Sequence, residues 1–109
     1  MVSGVDQEGS DEPVFAVSAD LDGGHVTVVV TGEVDMSSAA DMFRAATPDG
    51  AARASVDLRA VTFFDSAAIH ALVRLADRYG GALDVTPSRP VRRVLDISGL
   101  GGQPWLVAD

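Results

Sequence analysis

Asp65, Ser66 and His70 stand together in "FFDSAAIHAL" (63–72), where two aromatics close one element and a helix-forming run opens the next. Three kinds of chemistry suit a hydroxyl at such a junction. As a helix N-cap, Ser66 would accept a bond from the backbone N–H of Ala68 or Ile69, worth about 1 kcal/mol. As a nucleophile, it has His70 one helical turn further on to serve as its base. As a modification site, it lies where unpaired N–H groups and the helix dipole favour an added phosphoryl group. Asp65 fills the capping role equally well, which would leave Ser66 facing solvent. Position by itself favours the plain cap. Hydrolase chemistry is disfavoured, because the junction lacks the G-x-S-x-G elbow that strains and exposes a nucleophilic serine, and no segment marks an oxyanion hole. The expectation is a protein that is not an enzyme.

Other chemistries find less support. His25 and His70 are the only imidazoles, and no H-x-x-x-H or H-x-x-E spacing joins them to acids, so no metal site is expected. Cysteine is absent, which excludes disulfides and thiolate ligation. "GLGG" (99–102) lacks the G-K-[ST] ending of a phosphate loop and follows a helical pattern, not a strand, so it reads as a helix stop. Phe63, Phe64 and Trp105 read as core or edge fillers and not as a stacking platform. No cofactor is implied.

With 109 residues the chain suits one domain. Residues 1–12 hold Asp6, Glu8, Asp11 and Glu12, no base and almost nothing bulky and apolar, and are expected to form a flexible acidic tail. Residues 13–109 are enough for one core without staples. The net charge is −8, and the eight basic residues are all arginine, dispersed apart from Arg92-Arg93. An acidic body without a basic stripe argues against nucleic acid and anionic membrane as partners. The apolar runs are too short to span a bilayer and the N-terminus lacks a signal-like core, which makes a cytoplasmic location the expectation.

The elements that must position Ser66 follow from periodicity. "PVFAVSADL" (13–21) is a strand candidate closed by "DGGH", and "HVTVVVTGEV" (25–34) follows with Val26, Val28 and Val30 on one face and Thr27, Val29 and Thr31 on the other, which predicts an antiparallel hairpin. In "DMSSAADMFRAATPDG", Ala39, Met42, Phe43 and Ala46 recur at helical spacing, with Ser37 or Ser38 as cap and "PDG" as stop. "ASVDLRAVTFF" (54–64) is a strand with Val56 and Leu58 on one side. The helix beginning at Ser66 aligns Ile69, Leu72, Val73, Ala76 and Tyr79 toward the sheet, leaves Arg74 and Asp77 in solvent, and exits at Gly80-Gly81. "ALDVTP" (82–87) is a short strand. "SRPVRRVLDISGLGG" is a third helix with Pro90 in its first turn, Val91, Val94 and Leu95 buried and Gly99 at its end. "PWLVAD" is either an extended piece or a turn. The resulting fold class is α/β: a mixed four- to five-stranded sheet with an N-terminal hairpin, later strands parallel through right-handed crossovers, and about three helices mainly on one face.

Three segments taken in order, "VTVVVTGEVDMSSA", "SVDLRAVTFFDSAAIHAL" and "GGALDVTPSRPVRRVLDISGL", resemble the STAS domain of bacterial anti-sigma factor antagonists. The family pattern of G-E-x-D, then D-L-x-x-V-x-F-x-D-S-[ST]-G-L-G-x-L, then a V-x-x-V-L-x-x-x-G-L helix is met by Gly32 to Asp35, Asp57 to Leu72 and Val91 to Leu100. The resemblance covers residues from about 14 to 100. It implies that Ser66 is phosphorylated by an anti-sigma factor that is also a serine kinase of histidine-kinase-like ATPase fold. The unmodified protein would bind that partner and release the sigma factor; the phosphorylated form would not. Asp35, Ser37, Asp65, Ser66, Ala67, Ile69 and His70 are then the implied partner-binding residues.

The sequence departs from the family pattern where Ala67-Ala68-Ile69-His70 replaces the common S-G-L-G, and no helix is expected in the nine residues given after Leu100, where many members carry one more. The first departure puts a methyl and an imidazole where two glycines would let a partner's backbone approach. An alternative role follows from it: a scaffold or structural subunit of a signalling or transport assembly, with Ser66 an ordinary cap.

Overall fold

The computed structural model describes residues 14–107, so the acidic segment 1–12 lies outside the described residues. The chain runs β1 (Phe15–Asp22), β2 (His25–Val34), α1 (Ala39–Ala45), β3 (Arg53–Phe64), α2 (Ser66–Tyr79), a 3-10 turn (Gly80–Ala82), β4 (Leu83–Pro87) and α3 (Arg89–Ile97). The four strands lie side by side in chain order. β1 and β2 pair antiparallel through the two-residue turn Gly23-Gly24, whose φ angles of +58° and +84° are both in the region that glycine enters without strain. The pairs β2–β3 and β3–β4 are parallel, as the alternation of strand and helix requires.

One face of this sheet carries the core. Val26, Val28 and Val30 of β2, Ala54, Val56 and Leu58 of β3, and Leu83 and Val85 of β4 are buried. Val28, Val56 and Val85 are register partners across three strands and form the middle row. Met42 of α1, Leu72 and Leu75 of α2, and Val91 and Leu95 of α3 close over it. The opposite face, with Thr27, Val29, Ser55, Asp57, Asp84 and Thr86, is exposed or half-buried and carries the ion pairs Arg53–Asp84 (2.8 Å) and Arg59–Asp57 (2.9 Å). Coverage on one face agrees with the expectation from three helices.

Two local readings of the sequence need correction. On α2 the buried residues are Ala68, Ala71, Leu72, Leu75 and Tyr79, while Val73 is 37 % exposed and Ile69 and Ala76 are half-buried. The apolar stripe is thus rotated by about one position from the expected face. The small residues Ala68 and Ala71 are on the buried side, and Ala71 also borders the groove with α1. On α3 Val91 and Leu95 are buried as expected, but Val94 is half-buried. Residues 105–107 settle the open reading of "PWLVAD". Val85 N–H donates to the Trp105 carbonyl (2.8 Å) and Val107 N–H to the Val85 carbonyl (2.9 Å), so this stretch takes the outer edge of β4 as a single parallel bridge at Leu106. Trp105 and Leu106 are buried beneath it.

Candidate functional site

The site stands where β2 and β3 end. Both strands run the same way, so Val34 and Phe64 lie side by side as the last register pair, and each chain then turns into a helix. Asp65 N–H donates to the Val34 carbonyl at 3.3 Å, which ties the two turns together. On the other side of β2, Gly32 lets the start of β1 come close. Its φ is +89°, and a Cβ on it would run into the Val14 carbonyl, which accepts from Glu33 N–H at 2.6 Å. The β2–β3 register also shifts between Gly32 and Glu33, which redirects the chain into the Asp35 turn.

That turn is latched by side chains. Asp35 Oδ1 accepts from Ser37 N–H (2.9 Å) and from the Ser37 hydroxyl (2.6 Å). The Ser38 hydroxyl accepts from Asp35 N–H at 3.0 Å, and its Oγ lies 3.1 Å from the Glu33 carbonyl oxygen and 3.3 Å from Asp35 Oδ1, to either of which it can donate its one proton. Hydrogen bonds from Ser37, and more weakly from Ser38, hold the Asp35 carboxyl below its ordinary range, so it is a stable anion in the turn tied to the one that carries Ser66. Ser38 occupies the N-cap position of α1 but makes no side-chain cap bond, contrary to the expectation that Ser37 or Ser38 caps this helix. Its hydroxyl is already committed to the Asp35 amide, which would otherwise lack a partner.

At α2 the capping question is decided for Asp65. Its Oδ1 accepts from Ala68 N–H at 3.1 Å, and its backbone has the extended conformation of an N-cap. Ser66 is therefore the first helical residue, and its exposed hydroxyl makes no hydrogen bond among the described residues, to His70 or to any other group. Ala67 is half-buried and His70 exposed, and both border an open groove between α1 and α2. Ile69 instead packs against the core and does not border it. Of the two departures from the glycine pattern, Ala68 is fully buried and only His70 meets solvent.

The groove, of about 200 Å³, brings in residues that sequence reasoning missed. Met36, 80 % exposed, stands on one side and Phe43 on another, with the Arg74 guanidinium carbon 4.1 Å from the Phe43 ring centroid. Phe43 read as core and Arg74 as solvated because the two lie on different helices, and no spacing within one helix reveals a contact between two. Among the described residues no cluster of three His, Cys, Asp or Glu is arranged to hold a metal ion, and no helix is long and apolar enough to cross a membrane.

Comparison with known proteins places this geometry. A crystal structure of an anti-sigma factor antagonist from Mycobacterium paratuberculosis superposes with a TM-score of 0.73 at 25% identity, over 87% of this chain and 86% of that one. The anti-sigma factor antagonist SpoIIAA in its unphosphorylated form follows at 0.66 and 24%, over 84% and 86%. A STAS-domain antisigma-factor antagonist from Rhodobacter sphaeroides gives 0.51 and 19%, over 86% and 97%. The last two likenesses are of fold. No curated protein sequence matches the chain. A family model described as "Mlab, STAS domain" matches residues 17–108, which is every strand and helix except the first two residues of β1. The chain belongs to the STAS domain family.

Proposed function

We infer that this domain is an anti-sigma factor antagonist. It binds an anti-sigma factor with a histidine-kinase-like ATPase fold while Ser66 is unmodified, and it releases that partner once Ser66 is phosphorylated. The observation that carries the reading is the division of labour at the α2 start: Asp65 makes the cap bond, and Ser66 is left exposed with an uncommitted hydroxyl. The similar structure from Mycobacterium paratuberculosis, an anti-sigma factor antagonist, supports the partner class. In the transfer, the Ser66 oxygen forms a bond to the γ-phosphorus of ATP as the bond to the β-phosphate oxygen breaks. The hydroxyl proton leaves to a base on the kinase and ADP departs.

The switch follows from charge. Phosphoserine brings about −1.5 to −2 charge next to Asp65 and to the Asp35 anion. That repulsion is present in the free domain too, so it weakens binding only by the increment gained when a partner covers the site and lowers the effective dielectric. A partner that buries this surface meets a desolvation penalty as well. Neither effect requires the domain to refold.

Incubation with anti-sigma kinases and ATP, followed by mass spectrometry and by pull-down with and without ATP, tests this. Phosphate is expected at Ser66. Ser66→Ala is expected to bind constitutively and to take no phosphate. Ser66→Asp should bind more weakly than wild type but better than the phosphoprotein, because it carries about one negative charge and not nearly two. If wild type and Ser66→Ala both capture no kinase and no phosphate appears, the domain acts as a structural subunit instead.

A further inference from the structure

We propose that the groove between α1 and α2 seats an amphipathic segment of the partner protein, placing one bulky aliphatic side chain between Met36 and Phe43 and a carboxylate on Arg74. The inference rests on the proposed function only for the partner's identity. At about 200 Å³ the groove has room for one large side chain and little more. Buried Ala39 and Ala71 keep its floor low, exposed Ala40 stands at its rim, and Met36, a flexible apolar side chain left 80 % exposed, can close over whatever enters.

Charge selects the second feature of the occupant. Arg44, Arg53 and Arg59 each pair with an aspartate, at Asp41, Asp84 and Asp57. Arg74 has no carboxylate within ion-pair distance among the described residues; its guanidinium lies over the face of Phe43. A guanidinium stacked on a ring keeps its in-plane N–H donors free, and those donors match a carboxylate in bidentate geometry. Stacking also fixes the side chain beforehand, which lowers the ordering cost of pairing. His70, one turn before Arg74, borders the same groove. On a chain of net charge −8, this rim is a place where an acidic segment gains a cation without first displacing an aspartate.

Arg74 lies eight residues beyond Ser66 on α2, about 12 Å along the axis. That exceeds the Debye length of about 8 Å at physiological salt, so charge at Ser66 is largely screened from Arg74, although Ala67 brings the other end of the groove up to the phosphosite.

The probe is a blocked synthetic helical peptide with Leu and Glu one turn apart, titrated into the 15N-labelled full-length protein; a control peptide carries Lys in place of Glu. Amide shifts are expected to concentrate at Ala40, Phe43, His70, Ala71 and Arg74. The Glu peptide should bind about two- to fivefold more tightly than the Lys peptide, the reach of an exposed ion pair, and Arg74→Glu should reverse that order. Ala40→Leu, on an exposed helix position, should remove binding of both peptides with the melting curve unchanged. Ser66→Asp should leave the Glu peptide's affinity within about twofold, given the screening over that separation. The proposal is overturned if millimolar peptide shifts no groove amide, if shifts concentrate elsewhere, or if the Glu and Lys peptides bind equally. Each of these results is read whether or not any kinase modifies Ser66, so failure here leaves the phosphoswitch standing, and failure of the phosphoswitch leaves the groove standing.

Discussion

Asp35 shows how a motif residue can be legible before its role is. Its place in Gly32-Glu33-Val34-Asp35 marks it in the sequence, but not that Ser37 and Ser38 fold back to ionise it. The consequence is measurable. Because hydrogen bonds to the charged form lower its folded pKa below the ordinary value of 3.8, folding favours the anion. Its contribution to stability is present above that ordinary value and is lost as pH falls through the lower, folded one. A carboxyl-carbon NMR titration should give Asp35 a midpoint below 3.8, and Ser37→Ala should move it upward, since the Ser37 hydroxyl bond is the largest cause of the shift. A midpoint unmoved by Ser37→Ala would remove the latch from the account. Gly32 was equally visible as a letter in the motif. The reason for it, a positive φ beside the Val14 carbonyl, needs β1 in place and so is a tertiary fact.

The elements were largely readable. Both strands of the hairpin, the three helices and the two later strands follow from period and punctuation, and the Gly23-Gly24 turn has the glycines that its φ angles demand. What periodicity misjudged is which side of α2 faces inward. A stripe scored by side-chain size favours Ile69 and Val73, whereas the buried face includes the small residues Ala68 and Ala71. Two substitutions separate these registers. Leu72→Ala removes a fully buried side chain and should cost about 2–5 kcal/mol. Val73→Ala, at a position 37 % exposed, should stay within about 0.5 kcal/mol. Chemical denaturation of both variants checks the pair, and a large loss at Val73 would restore the face inferred from sequence. Tyr79 adds a contact that no pattern could supply: its hydroxyl donates to the Ala46 carbonyl and joins the end of α2 to the end of α1, while burial holds the phenol's pKa above its ordinary value. The groove beside Ser66 depends on that helix pairing.

At the scale of the whole molecule, the sheet has one apolar face and two edges that are treated differently. β1 forms one edge; the other, β4, is taken by residues 105–107 through the bridge at Leu106. Sequence left that stretch undecided because a bridge formed by one residue has no period to detect. The structure makes it part of the core, since Trp105 is only 6 % exposed and its carbonyl accepts the Val85 N–H at 2.8 Å. Trp105 is also the only tryptophan, so its fluorescence reports on this stretch alone. If residues 105–107 belong to the same cooperative unit as the sheet, the fluorescence transition in urea should coincide with the loss of far-UV circular dichroism, as two-state unfolding requires. Trp105→Ala should then cost about 3–5 kcal/mol, as large aromatic truncations in a core do. A fluorescence transition at clearly lower urea would show that these residues detach first, as a local unit that leaves the edge of β4 open while the rest stays folded.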